Sequence, residues 1–442
     1  MAGKFTKNTL ITVITRVLQL ILGIGTSVII ARVLGPEGKG VYSLALLLPT
    51  LLITFTNLGI GPASVFYLGK KKYSSKEVLG ANIIFSGLIS IFALMVGLII
   101  VFFFPEKLFP GVPQEYLLLA LSLIPLQVLL TFVVDVLLGL QKIKKYNFIQ
   151  LIPTFIYLIL IAVFLLGFHF GVKAAIIAEV LSLFVGCIIL FINTKKETGG
   201  IVFSFTKEIR KDFFSYGIKA YFGNIFSFIH YRIDQFMLNI FLNPTAVGVY
   251  SIAVGISEKI WLVSQSASTV LFPRVSSETD AKRLKEFTPM VCRNILWITV
   301  LLSLFLCLIA PWLIVLLYSD QYLESILPFR ILLIGAVALA GSKILANDFA
   351  GRGKPMINTY ISIASVVLNI ILNILWIPKF GIIGAAWATA ISYSVIFLIN
   401  IFVYAKISDN KIKDILFIKK SDFKYYKNFL LLFKNKYLNL KK

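Results

Sequence analysis

Twelve ionisable side chains stand inside stretches of sequence otherwise apolar enough to cross a lipid bilayer: Arg16, Arg32, Lys219, Arg232, Lys259, Arg330 and Lys343, with Asp135, Glu179, Asp234, Glu258 and Asp348. A charge at the middle of a membrane helix costs roughly 2.5–3.5 kcal/mol on insertion scales, so these groups must face partners or water rather than lipid. Arg32, Lys259, Arg330 and Asp348 lie near the ends of their stretches and are expected to reach toward the interface. The guanidinium is a planar fork matched to phosphate oxygens and the ammonium a mobile point charge, so Arg16, Lys219, Arg232 and Lys343 are candidates to hold an anionic head group. Gln19, Asn57, Asn224, Gln235, Gln265 and Asn347 supply the neutral hydrogen-bonding groups that would line the same cavity, as sugars require. Asp234, Glu258, Glu179 and Asp135 are the candidates to carry a coupling ion, Na+ or H+; no other cofactor is expected. The competing reading of any one charge is an ion pair that only fixes helix packing, such as Arg232 with Glu258 or Asp234 with Lys219.

Spacing groups these residues on helix faces. At 3.6 residues per turn, Thr12, Arg16, Gln19, Gly23 and Ser27 form one stripe. Lys219, His230 and Asp234 share one face of a later stretch, and Asn224, Arg232, Gln235 and Asn239 another. Glu258, Trp261, Gln265 and Thr269 follow, with Gln127, Thr131 and Asp135, and with Lys343 and Asn347, elsewhere. Helices this polar on one side are expected to enclose a common aqueous cavity. Cys187, Cys292 and Cys307 lack ligand-like spacing and read as packing residues, and with His169 and His230 far apart no metal cluster of the usual kind can be assembled.

The elements that must position these residues follow from composition. The chain has 442 residues, 58% hydrophobic and only 14% charged, with mean hydropathy +0.91. A soluble domain carries about 25% charged residues, so a water-soluble fold is excluded. Twelve apolar runs, the first at 8–33 and the last at 382–405, each match a hydrocarbon core of about 30 Å crossed at about 1.5 Å per residue. The first run follows Lys4 and Lys7 as a signal peptide would, but it is long and eleven runs succeed it, so it reads as a retained helix. The 43 Lys and Arg against 20 Asp and Glu are not a nucleic-acid footprint, because they alternate between loops. Lys4 and Lys7, Lys70 to Lys76, Lys142 to Lys145, Lys195 to Lys211, Arg274 to Arg293, Arg352 with Lys354, and the tail fall on one side. Only Lys39, Lys107, Lys173 and Lys379 fall on the other. The positive-inside rule makes both termini cytoplasmic, in the cell (inner) membrane. The net charge of +23 then expresses topology and attraction to anionic membrane lipids.

The chain also repeats itself. LGPEGKGVYSLA from Leu34 returns as LNPTAVGVYSIA from Leu242, FGVKAAIIAEVLS from Phe170 as FGIIGAAWATAIS from Phe380, and GLQK at Gly139 as GRGK at Gly351. The near-constant offset implies duplication of a six-helix unit. The predicted organisation is an all-α polytopic membrane protein with twelve transmembrane helices in two parallel six-helix bundles around a central cavity. An N-terminal lobe covers 1–193, a cytoplasmic linker 194–213, a C-terminal lobe 214–405 and a basic cytoplasmic tail 406–442. The tail from Ile407 mixes lysines with aromatic and aliphatic residues, too charged to span and suited to the membrane surface.

The segments LGPEGKGVYSLA and HYRIDQFMLNIFLNPTAVGVYSIAVGISE, from His230 to Glu258, resemble the polysaccharide flippases, O-antigen flippases among them, of the multidrug/oligosaccharidyl-lipid/polysaccharide exporter superfamily. The resemblance runs over nearly residues 1 to 405. It implies alternating access between two lobes and carriage of undecaprenyl-diphosphate-linked oligosaccharide to the outer leaflet, with polysaccharide polymerase or ligase partners. It also implies that Arg232 and Asp234 face the cavity, with Arg16 as a cationic counterpart. Lipid II flippases of the superfamily have two further helices, and its drug exporters would want acidic residues in excess; here basic ones prevail. A cation-coupled drug exporter remains the alternative, with an intramembrane enzyme of polysaccharide assembly behind it. The short outer loops and the lack of a G-x-x-x-x-G-K-[ST] stretch speak against an enzyme and against direct ATP use.

Overall fold

A backbone passing through hydrocarbon must satisfy its own hydrogen bonds, which leaves helices as the solution for apolar segments of this length. The computed structural model describes residues 2–277, 280–419 and 422, and within them the side chains other than those of 2–10, 219, 220, 222–224, 269, 270, 272, 273, 276, 277, 281 and 282. Its helices in chain order are α1 (Ala2–Thr56), α2 (Ile60–Gly69), α3 (Ser75–Phe103), α4 (Pro105–Leu108), α5 (Gln114–Leu121), α6 (Leu123–Gly139), α7 (Ile143–Ile161), α8 (Val172–Thr198), α9 (Lys207–Phe241), α10 (Pro244–Ser257), α11 (Trp261–Ser277), α12 (Ala281–Tyr318), α13 (Ile326–Gly351), α14 (Met356–Ser408) and α15 (Ile412–Leu416). The protein is an all-α polytopic membrane protein.

Among the described residues, nine helical stretches are long and apolar enough to cross a membrane. Ile11–Thr56 and Met356–Ser408 hold 46 and 53 residues, about twice what a core of about 30 Å needs. Each is interrupted by a glycine outside helical geometry, Gly35 at φ 66° and Gly381 at φ 58°. A left-handed backbone there is costly for any residue with a Cβ, so these two glycines set the bends. The helix α9 carries His230, Arg232, Asp234, Gln235 and Asn239 among its apolar residues. Large side chains on the other helices point outward, including Phe103, Leu308, Trp312 and Leu316, as a protein dissolved in lipid requires.

By contact, the chain forms two compact units. One comprises Met1–Ile252, Pro311–Ile326 and Leu372–Ala385. Within it α1 packs on α7, α3 and α2 on α6, and α8 on both α6 and α7, while α2 also meets α9. Small residues allow close approach: Gly186 of α8 lies against Pro153 of α7, and Gly59 and Gly217 press on each other's backbone. The repeated segments meet here too. A Cβ on Gly40 would overlap the Pro244 carbonyl oxygen, and one on Gly248 the Pro36 carbonyl oxygen. The two copies therefore pack reciprocally, each seating its glycine on the other's proline carbonyl.

The stretch read as a linker is helical up to Thr198 and again from Lys207. Gly199, left-handed at φ 74°, ends α8, and the Thr206 hydroxyl accepts from Ile209 N at 3.2 Å to start α9. Between them the Val202 amide donates to the Lys76 carbonyl at 3.1 Å. Ser74 and Glu77 form a capping box at the head of α3. Next to it Lys72 bonds Asp212 at 2.6 Å and Glu208 at 3.1 Å, and the Tyr73 hydroxyl donates to Asp212 at 2.7 Å. The Lys72 and Tyr73 donors hold the Asp212 carboxyl below its ordinary 3.8. Its partners Asp212 and Glu208 hold the Lys72 ammonium above its ordinary 10.5. Asp212 thus contributes above its unfolded pKa and loses that contribution as pH falls through the folded one; Lys72 contributes below 10.5 and loses it only in stronger base. Amide exchange of residues 70–76, corrected for its intrinsic pH dependence, is expected to stay flat through neutrality and quicken only below the usual carboxylate range. Quickening near neutral pH would show that the latch does not hold the loop.

The second unit comprises Ala253–Ala310, Leu327–Ile371 and Ala386–Lys442. Leu271, Cys292, Leu345, Phe349, Phe397, Ile401, Tyr404 and Ile415 form its core. Asp348, expected at the interface, is instead fully buried; it accepts from the Thr288 hydroxyl at 2.6 Å and pairs with Arg352 one turn on. Arg32, in the first unit, donates to the carbonyls of Leu316 and Leu317 at 2.6 and 2.9 Å, satisfying groups that the end of α12 leaves open. The tail starts as a docked strap around α15, and Asp422 of that strap pairs with the buried Arg293. Beyond Asp422 the basic tail lies outside the described residues.

Candidate functional site

The helix α9 carries the densest set of polar groups. His230, Asp234, Gln235 and Asn239 are all buried, on neighbouring faces of successive turns. Asp234 accepts from the Tyr250 hydroxyl at 2.7 Å, and its second oxygen accepts from the Gln235 amide at 2.8 Å. Tyr250 reaches it from α10, which begins where Asn243 Oδ1 accepts from the Ala246 amide at 2.9 Å. Arg232 is half-buried and donates to the Tyr231 carbonyl at 2.9 Å. Lys219 and Asn224 stand on the same helix, with side chains outside the described set.

Two further groups lie in the first unit. Tyr146 of α7 is within electrostatic reach of Arg16 of α1 and Asp135 of α6. Gln19 donates to the Gln150 carbonyl at 3.1 Å, and Asp135 presses on Gly61 so closely that a Cβ there would overlap it. Arg16 is exposed, and Asn57 is half-buried where α1 gives way to α2. Separately, Glu179 of α8 accepts from the Tyr42 hydroxyl at 2.9 Å, and that hydroxyl is 2.5 Å from the Tyr157 hydroxyl.

In the second unit Lys343 stands 4.0 Å from the centre of the Trp261 ring and within electrostatic reach of Glu258. Asn347, one turn on, donates to Ser268 Oγ at 3.0 Å. Gln265 is exposed on α11. Among the described residues, the charged candidates fall into four clusters, each mixing a cation or carboxylate with tyrosine, tryptophan or amide partners.

Sequence reasoning passed over the tyrosines, although the repeat marked them. Tyr42 and Tyr250 occupy the same place in GVYSLA and GVYSIA, and each donates its hydroxyl to a carboxylate, Glu179 and Asp234. Read that way, the duplicated tyrosine was a pointer to two of the acids.

Residues 29–327 match the profile of the family described as polysaccharide biosynthesis protein. The chain belongs to the polysaccharide biosynthesis protein family. The resemblance drawn from the two GVYS segments is met. Among relatives of this polysaccharide biosynthesis protein, a membrane protein of Methanocaldococcus jannaschii is 26% identical over 392 residues, covering 82% of this chain and 76% of that one. A Shigella flexneri protein named O-antigen transporter is 25% identical over 392 residues, covering 81% of this chain and 87% of its own. Among solved structures, the lipid II flippase MurJ in an inward closed conformation superposes with a TM-score of 0.76 at 18% identity, over 92% of this chain and 89% of that one. That likeness is one of fold.

Proposed function

We propose that this protein is a flippase for lipid-linked oligosaccharide, carrying undecaprenyl-diphosphate-linked glycan from the cytoplasmic to the outer leaflet for cell-surface polysaccharide synthesis. It is a transporter and not an enzyme. The observation that carries this reading is α9: a long helix that interrupts its apolar residues with His230, Arg232, Asp234, Gln235 and Asn239, Arg232 standing beside the buried Asp234, in a member of the polysaccharide biosynthesis family. The Shigella flexneri relative, matched over most of both chains, supports the same substrate class.

In this reading the two halves, 1–193 and 214–405, alternate access across twelve crossings, with both termini cytoplasmic in the inner membrane. Arg16, Lys219, Arg232 and Lys343 hold the diphosphate and sugars while the prenyl chain stays in lipid. Polymerase or ligase partners receive the product. Moving the charge draws on an Na+ or H+ gradient or the membrane potential, since one charge across 100 mV is worth about 2.3 kcal/mol.

The test is translocation of fluorescent undecaprenyl-diphosphate oligosaccharide in proteoliposomes, with and without an imposed gradient. Protein-dependent, gradient-sensitive movement is expected. Arg232→Ala is expected to slow it by about 10- to 100-fold, the worth of a hydrogen bond to a charged group, and Arg232→Lys by less. Normal transport by a folded Arg232→Ala protein would remove Arg232 from the anion site; export of organic cations with no lipid movement would replace the flippase reading with drug efflux.

A further inference from the structure

Four side chains meet away from α9: Lys39 and Tyr42 from α1, Tyr157 from α7 and Glu179 from α8. The Tyr42 hydroxyl bonds Glu179 Oε2 at 2.9 Å and the Tyr157 hydroxyl at 2.5 Å. Lys39 Nζ lies 5.3 Å from the centre of the Tyr42 ring and within electrostatic reach of Glu179. An ionised carboxylate only accepts, so Tyr42 must donate to Glu179 and Tyr157 must then donate to Tyr42. The hydroxyl chain has one direction while Glu179 is charged. A proton on Glu179 gives the carboxyl a donor of its own, turns the chain around, replaces a charge-assisted hydrogen bond with a neutral one, and removes the negative partner of Lys39.

This cluster grips a particular piece of backbone. Gly40 sits between Lys39 and Tyr42, and it is Gly40 that seats on the Pro244 carbonyl while Gly248 seats on that of Pro36. We propose that Glu179 is a proton-binding site, and that its proton unlatches residues 36–42 from residues 244–248.

The chemistry of the cluster selects a proton over a metal ion. Its cationic position is already filled by the Lys39 ammonium, which would repel a second cation. On the helices packed against α8, Asp135 of α6 lies against Gly61, Glu77 of α3 is in its cap with Ser74, Glu115 of α5 pairs with Lys173 at 3.0 Å, Lys145 of α7 pairs with Glu197 at 2.5 Å, and Arg32 of α1 bonds the Leu316 carbonyl at 2.6 Å. The titratable groups in contact with or within electrostatic reach of Glu179 are Lys39, Tyr42 and Tyr157. The site stands without the flippase reading; only its consequence for transport, release of the paired segments as the carrier changes state, rests on it.

The test uses the full chain in lipid nanodiscs, without substrate. Infrared difference spectra on acidification are expected to show a protonated-carboxyl band that Glu179→Gln removes. In the same titration, amides of 36–42 and 244–248 are expected to exchange about tenfold or more faster, beyond their intrinsic pH dependence, once Glu179 is protonated. In Glu179→Gln they should exchange fast at every pH. Tyr42→Phe, which keeps the ring and removes the hydroxyl, should keep the carboxyl band but exchange fast throughout, and serves should Glu179→Gln fail to fold. A carboxyl band that survives Glu179→Gln, or exchange in the unaltered protein that ignores the titration, overturns the proposal. Because no transport is measured, failure here leaves the flippase reading standing, and failure of translocation leaves the proton site standing.

Discussion

Alanine at Gly40 or Gly248 is expected to destabilise the protein by roughly 1–3 kcal/mol each, the usual cost of forcing extra atoms into a packed contact. The clash would be with main chain: the new Cβ would overlap the carbonyl oxygen of Pro244 in one case and of Pro36 in the other, so the two segments must draw apart. At Gly87 and Gly255, by contrast, a Cβ meets nothing within 4 Å. Alanine in those helical positions removes backbone freedom from the unfolded chain and is expected to be neutral or stabilising by up to about 1 kcal/mol. The four single variants, followed by thermal unfolding in one detergent, should therefore split by sign. The double variant Gly40→Ala with Gly248→Ala carries a further expectation. One separation of the segments relieves both clashes, so the pair should cost less than the two single losses together. Gly40→Ala unfolding like Gly87→Ala would mean that the reciprocal contact does not bear on stability.

The sequence alone located this contact without recognising it. Near-identity of LGPEGKGVYSLA and LNPTAVGVYSIA reported a duplication, but nothing in a single chain says that two copies touch. Periodicity groups polar residues on faces of α1, α9, α11 and α13. It could not name partners, because these are remote in the chain: Tyr42 meets Glu179 at a separation of 137 residues and Thr288 meets Asp348 at 60. Position near a helix end misled for the same reason. Asp348 lies near the end of its stretch, yet it is fully buried against Thr288 and Arg352. Charge alternation places Arg293 among the cytoplasmic-side cations. A count of charges per loop carries no information on burial, and Arg293 is only 4% exposed.

That burial makes Arg293→Ala the substitution with the largest expected effect. The Arg293 guanidinium forms a bidentate pair with Asp422, itself 1% exposed, and donates a third bond to the Asp414 carbonyl at 2.8 Å. Around it Trp297 Nε1 donates to the Leu416 carbonyl at 2.9 Å, Asn410 to the Lys285 carbonyl at 3.1 Å, and Ile415 is fully buried. Burial alone would push the Asp422 carboxyl up, but the Arg293 fork and the Lys419 amide more than offset it and hold it below its ordinary 3.8. Asp422 is therefore charged at neutral pH, its contribution lost only as pH falls through that lowered value. Removing the arginine leaves a buried carboxylate without its counter-charge, which costs about 3–5 kcal/mol. Arg293→Ala should lower the unfolding temperature sharply and expose residues 412–422 to protease, while Arg293→Met combined with Asp422→Leu, which removes both charges and keeps the volume, should restore most of the loss. If Arg293→Ala leaves unfolding and cleavage unchanged, the strap is not held by this pair; if the double variant is as unstable as the single one, the strap depends on the hydrogen bonds to Asp414 and not on compensation of charge.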